Sequence, residues 1–214
     1  MQVYCLPITE PFMNKTDLQL RNFVSFQRQE KMMRYRNEID QKLSLYAALV
    51  TRMGISKLSG IPASELLFHS QPNHKPYLIS DASYCFSFSH TRNFVLSCIN
   101  TSIPVGADVE LIQEAPLEIM DLVFHPDEIQ FITSNTNNTR ISFYKVWTQK
   151  EAYTKSLGTG LIGNLASINT MELLPYFHTW EQNGYMCCVF CSHKADPKIT
   201  TITTNDISAY YGID

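Results

Sequence analysis

Residues Trp147 to Leu161 read WTQKEAYTKSLGTGL. They follow RISFYKV, whose aromatic and aliphatic residues recur at helical spacing, and they run into Gly158 and Gly160, where a helix would stop. At roughly 100° per residue, Trp147, Glu151 and Lys155 share one face of that helix, with Lys150 beside them. A carboxylate and two ammonium groups therefore lie along a surface that also carries a large ring. Taken alone, the pattern describes a solvated amphipathic helix with an i,i+4 Glu–Lys pair. It gains weight only from a second acidic cluster upstream.

That cluster lies in SIPVGADVELI. Asp108 and Glu110 are one residue apart, so in an extended chain both point to the same face, while Val109 and Leu111 face a core. Two carboxylates on one strand face repel each other unless water or a cation intervenes. Oxygen ligands without His or Cys favour Mg²⁺, which takes one or two carboxylates together with phosphate oxygens and water. From this stretch alone, a cation site and a solvent-facing acidic strand end stand even.

Between the N-terminus and this strand, several further segments bear on chemistry. YCFSFSHTRNFVLSCIN reads as two strands, Tyr84–Phe88 and Phe94–Ile99, interrupted by Ser89-His90-Thr91-Arg92, a turn able to hold an anion or simply a polar connection. QPNHKPYL forms an ordered turn through Pro72, Asn73 and Pro76, from which Lys75 projects. FVSFQRQEKMMRYR is the most basic segment: Arg28, Lys31, Arg34 and Arg36 form either a phosphate patch or a solvated helix face. A core-facing helix is expected from Asn37 to Arg52. The placement of Glu128, beside Pro126 at a helix start, needs no functional explanation. The C-terminal part is strand-like: YFHTW, a turn at Glu181–Gly184, YMCCVFC and ITTIT.

Composition excludes several classes. The chain has 214 residues, 44% hydrophobic and 17% charged, with a net charge of −3. That suits a well-packed domain or two small halves, and it argues against disorder or a general nucleic-acid binder. No apolar run is long enough to cross a bilayer, and the N-terminus lacks the pattern of a signal peptide. The six cysteines follow no disulfide framework; the cluster Cys187-Cys188-x-x-Cys191 sits in an apolar strand, so buried thiols rather than zinc are expected. A cytoplasmic location follows.

GADVE followed by WTQKEAYTKSLGTGL resembles the paired signature of the 4'-phosphopantetheinyl transferases, G-[VI]-D-[VIL]-E and W-[ST]-x-K-E-[AS]-x-x-K-x-x-G-x-G-[LIF], with Ala107 at a usually branched position. FSFSHT and HKPYL resemble two further family elements, with His74 where glycine is usual. The four occur in the family's order over roughly residues 20–165, and the length suits the larger, two-halved type that activates peptide synthetases.

The resemblance implies an α+β fold of two similar halves, 1–102 and 103–214, related by a pseudo-twofold. Each half would have a small antiparallel sheet and a long helix. It further implies transfer of the phosphopantetheine arm of coenzyme A to a serine of an acyl or peptidyl carrier protein, releasing 3',5'-ADP. Asp108, Glu110 and Glu151 would hold Mg²⁺; Glu151, or a water it orients, would accept the serine proton. Lys155 would stabilise the leaving phosphate, with Lys150 nearby as orienter or ion-pair partner. Ser89, His90, Lys75, Pro76 and Lys31 would hold the nucleotide. Where relatives carry an arginine in the first long helix this chain has Leu43, so Lys42 or Arg36 is expected to replace it. The segment Phe124–Asn138 is the expected carrier-docking surface, and a monomer is expected. Two competing readings are a non-catalytic coenzyme A-binding module and another Mg²⁺-dependent phosphoesterase or nuclease.

Overall fold

The structure, a computed structural model, describes residues 1–69, 75–158 and 164–213. Pro72, Asn73 and His74 of the expected turn, and Thr159–Leu161 of the motif's glycine tail, lie outside the described residues. In chain order the elements begin with β1 (Gln2–Pro7), α1 (Lys15–Leu20), α2 (Phe26–Met33) and α3 (Glu38–Ser59). Then come β2 (Phe68–His69), β3 (Tyr77–Leu78), β4 (Tyr84–Thr91), β5 (Phe94–Thr101) and β6 (Val105–Leu111). The chain continues through α4 (Met120–Val123), α5 (Pro126–Ser134), α6 (Thr139–Leu157), β7 (Phe177–Gln182), β8 (Tyr185–Cys191), β9 (Lys198–Thr201) and α7 (Thr204–Tyr210).

The fold class is α+β. One sheet has the order β4-β5-β1-β9, a second the order β6-β8-β7, and β2 and β3 form a small ladder of their own. The second sheet is antiparallel throughout, whereas the first is mixed because β9 runs parallel to β1. Alternation along the strands sorts side chains between two faces. Val3, Cys5, Leu96 and Cys98 of the first sheet meet Val105, Ala107, Val109, Cys187 and Val189 of the second in one buried cluster. The opposite face of the first sheet is covered by α3, with Leu45, Leu49 and Met53 packed on the core that holds Tyr4, Val95 and Ile99. The opposite face of the second is covered by α6, where Ala152 meets Cys188 and Phe190. The result is four layers: helix, sheet, sheet, helix.

Two sequence expectations change. The first long helix runs past Arg52 to Ser59, where Gly60 takes the left-handed conformation (φ 75°) that ends it. The Ser89-His90-Thr91 segment is not a turn: β4 continues to Thr91 and only Arg92-Asn93 reverse the chain, with Arg92 at φ 47°. Ser89, His90 and Thr91 pair with Leu96, Val95 and Phe94, so the ladder holds them rigidly. The split at 102/103 falls at the β5–β6 connection, but the end of the second half returns to the first. β9 pairs with β1, and Ile207 and Tyr211 of the α7 segment enter the α3 core. No helix among the described residues is long and apolar enough to cross a membrane, and the six cysteines are all free, five of them buried.

Candidate active site

β4 and β6 are edge strands of their sheets, and the two edges run side by side. They are stitched by hydroxyl side chains from alternate positions of β4. The backbone N–H of Ala107 donates to Ser87 Oγ (3.1 Å), Ser89 Oγ donates to Asp108 Oδ1 (2.9 Å), and Thr91 Oγ1 donates to Glu110 Oε2 (3.4 Å). The period of two thus puts Asp108 and Glu110 on the same side of the seam, as the sequence predicted. α6 crosses this seam very closely. A Cβ built on Gly106 would sit 1.7 Å from the carbonyl oxygen of Ala152, so the glycine of GADVE is what allows β6 and α6 to touch.

Because of that approach, Glu151 and Lys155, one helical turn apart, face the strand carboxylates. Lys155 Nζ lies 2.6 Å from Asp108 Oδ1 and donates to Ser89 Oγ at 3.0 Å. Asp108 is 2% exposed, and its second oxygen, Oδ2, is buried with no hydrogen-bond partner among the described residues. Burial, and next the Asp108 charge, push both Glu110 and Glu151 up to about 7. For Lys155, burial works against the charged form, but the charges of Asp108, Glu151 and Glu110 outweigh it and raise its pKa.

Beside this group lies a cluster of cationic side chains around His90. Arg28 of α2 stacks its guanidinium over Phe88 at 5.1 Å and donates to Ser44 Oγ at 3.3 Å. His90 is pushed down to about 4 by burial first, then by the charges of Arg28 and Lys155, with a smaller contribution from Lys31. Tyr35 meets the His90 ring edge-on at 6.3 Å. Lys75 donates to the Val105 carbonyl at 2.7 Å. With Pro76, Tyr84, Phe86 and Leu157, it lines a cavity of about 290 Å³ at the C-terminal end of α6.

Two predicted site lysines are elsewhere. Lys150 Nζ pairs with Glu128 at 2.8 Å and donates to the carbonyls of Leu165 (2.8 Å) and Ile168 (2.7 Å), which uses all three of its donors. Glu128 is fully buried; it also caps its helix at His125 N–H and accepts from Thr170. Lys42 pairs with Asp17 at 2.8 Å and donates to the Phe12 carbonyl, while Tyr46 donates to the same Asp17. One residue in a helix turns a side chain by roughly 100°, so Lys150 follows Glu151 in sequence yet faces another layer. Arg36 is exposed and lies outside the charges acting on His90. Leu43 is buried in the α3 core. The cation standing next to Ser44 is Arg28, named above in the basic patch but not among the expected site residues. Its signal in the sequence was its place one turn from Lys31 on a basic helix.

The donor set fits a hard divalent cation. It comprises three carboxylates, one with an unpartnered buried oxygen and two kept from full ionisation near neutral pH by burial and crowding. Among the described residues no three His, Cys, Asp or Glu side chains already close into a cage, and Lys155 stands against Asp108.

Comparison with known proteins covers both halves. Residues 104–202 match the 4'-phosphopantetheinyl transferase superfamily, and residues 10–101 match its N-terminal region, described as 4'-phosphopantetheinyl transferase, N-terminal. The chain is 33% identical to the 4'-phosphopantetheinyl transferase gsp of Aneurinibacillus migulanus, over 86% of this chain and 74% of that protein. It is 30% identical to 4'-phosphopantetheinyl transferase psf-1 of Bacillus pumilus, over 75% and 69%. Identity to 4'-phosphopantetheinyl transferase Sfp of Bacillus subtilis is 25%, over 95% and 98%.

Proposed function

Given that the chain belongs to the 4'-phosphopantetheinyl transferase superfamily, we propose that it transfers the 4'-phosphopantetheine arm of coenzyme A to a serine of an apo carrier protein, releasing 3',5'-ADP. The observation that carries this reading is the meeting of Asp108, Glu110, Glu151 and Lys155 at one seam, beside the Arg28–His90 cluster. A carboxylate cluster next to a group of cations suits a pyrophosphate better than a neutral substrate.

In this reading the serine oxygen bonds to the β-phosphorus as the bond from that phosphorus to the bridging oxygen breaks, and 3',5'-ADP leaves. Glu151 takes the serine proton directly or through a water. Lys155 faces the negative charge that develops on the leaving phosphate. Arg28, Lys31, His90, Ser89 and Lys75 hold the nucleotide, with His90 as one of its hydrogen-bonding groups. Asp108, Glu110 and Glu151 would hold Mg²⁺, which when bound neutralises charge on the pyrophosphate oxygens. Lys150 and Lys42 serve structure instead.

The pseudo-twofold relation of the two halves is part of the same proposal. Each long helix buries one lysine, Lys42 or Lys150, against an acid at the third position of a capped helix, Asp17 or Glu128. The carrier is placed against the segment Phe124–Asn138, which contains α5; Leu122, just before that segment on α4, is 74% exposed and would extend its apolar surface. A monomer in the cytoplasm completes the assignment; both catalytic halves lie in one chain, and its thiols are free.

Incubation with coenzyme A, Mg²⁺ and a panel of purified apo-carriers, read by intact mass, tests the activity. Wild type should convert at least one carrier to the phosphopantetheinylated form. Asp108→Asn and Glu151→Gln should each lose about two orders of magnitude in rate or more. Near-wild-type turnover in either variant would remove that residue from the reaction.

A further inference from the structure

Lys155 has a place in the proposed reaction, and within the protein its ammonium already has partners. Its ammonium lies on Asp108 Oδ1 (2.6 Å) and donates to Ser89 Oγ (3.0 Å), while Ser89 itself donates to the same oxygen (2.9 Å). Three groups thus form a closed triangle on one edge of the carboxylate, and the other oxygen, Oδ2, is buried without a partner. The Lys155 side chain keeps 31% of its surface exposed whereas Asp108 keeps 2%, so the lysine end of the pair is the one able to leave. Its stem is flexible, and the carboxylate sits on a strand stitched to its neighbour.

We propose that Lys155 is the counter-ion of Asp108 in the empty enzyme and is displaced by the divalent cation, so that cation binding releases the lysine toward the substrate's pyrophosphate. This rests on the reading of Asp108, Glu110 and Glu151 as cation ligands. A dication on Asp108 Oδ2 would stand within a few ångströms of the ammonium, and like charges at that range repel strongly in a site with little water. The lysine therefore moves when the cation enters, and Ser89, left hydrogen-bonded to Oδ1, keeps the carboxylate in register. The displaced ammonium stays tethered to α6, beside Arg28 and His90. Cation and pyrophosphate then bind with positive coupling through one side chain, and by linkage each tightens the other by the same factor.

The experiment measures Mn²⁺ binding to the full-length protein by electron paramagnetic resonance and calorimetry, with and without coenzyme A. It compares wild type, Lys155→Met and Asp108→Asn, with circular dichroism to confirm folding. In the absence of coenzyme A, Lys155→Met should bind Mn²⁺ about tenfold more tightly than wild type, because the competing ammonium is gone. The tightening that coenzyme A gives to Mn²⁺ in wild type should shrink in Lys155→Met by a similar factor. Unchanged or weaker Mn²⁺ binding in folded Lys155→Met would overturn the proposal. Should Lys155→Met prove poorly folded, Lys155→Gln supplies a second reading. Removing the charge while keeping a polar side chain at Ser89 and Asp108 should also tighten Mn²⁺ binding severalfold, and no change would count against displacement. Asp108→Asn separates the two levels: Mn²⁺ binding that survives it would refute the ligand assignment itself, whereas its loss there together with an unaffected Lys155→Met would refute only displacement.

Discussion

At the residue scale, His90 shows how a strand position becomes an electrostatic probe. β4 holds it against Tyr35 and among Arg28, Lys155 and Lys31, and burial with those charges brings its pKa down to about 4. The unfolded chain would protonate it near the ordinary value of about 6.5. Between those two values the unfolded state binds more protons, so His90 contributes stability at neutral pH that is lost as pH falls toward 4. The size is on the order of 2 kcal/mol. Urea unfolding at pH 7 and pH 4.5 should therefore show His90→Gln losing less stability on acidification than wild type, by roughly that amount. An imidazole proton resonance of His90 titrating near 6.5 would contradict the arrangement.

At the scale of elements, α6 carries both candidate site residues and a buried stabilising pair, through different side chains. Lys155 and Glu151 face the seam; Lys150 faces α5 and the segment that follows α6, with its three donors filled. Lys150→Met leaves Glu128 buried without its cation and should cost about 3–5 kcal/mol of stability. The double variant with Glu128→Gln should recover much of that loss, as read by denaturant midpoints. Gly106→Ala acts at the other side of the helix. Its new methyl group would collide with the Ala152 backbone at 1.7 Å, which no rotamer change relieves. Forced separation of β6 from α6 should cost at least about 3 kcal/mol and carry Asp108 away from Lys155. A Gly106→Ala protein with wild-type melting temperature would show that the contact is softer than its geometry says. Gly106 and Lys150 were both visible in the motifs; that both are taken up by packing was not.

At the scale of the whole molecule, the two sheets share one core and the C-terminal segment locks them together. β9 adds to the first sheet beside β1, and Ile202, Ile207 and Tyr211 are buried in the α3 core, where Tyr211 Oη donates to the Leu49 carbonyl. Burying those three side chains is worth roughly 6 kcal/mol, within the range of about 5–15 kcal/mol that holds a domain together. A chain ending at Pro197 should therefore lose its cooperative thermal transition, although every residue of the candidate site remains. A sharp transition at the wild-type temperature would show that the halves fold without this strap.

The sequence by itself determined what depends on local periodicity. The same-face pair Asp108 and Glu110 follows from the alternation of a strand, and the shared face of Glu151 and Lys155 from the turn of a helix. The order of the motifs, together with their spacing, identified the family. Only the tertiary structure decided which charged groups belong to which site. Lys42 and Lys150 are drawn into buried pairs with Asp17 and Glu128, Arg28 comes to stand beside Ser44 and His90, and β9 returns to β1. The reason is range. A residue's face is set by its own backbone, but the partner of a buried charge is set by chain packing across long sequence separations, where the cost of leaving a charge unpaired selects the nearest opposite group.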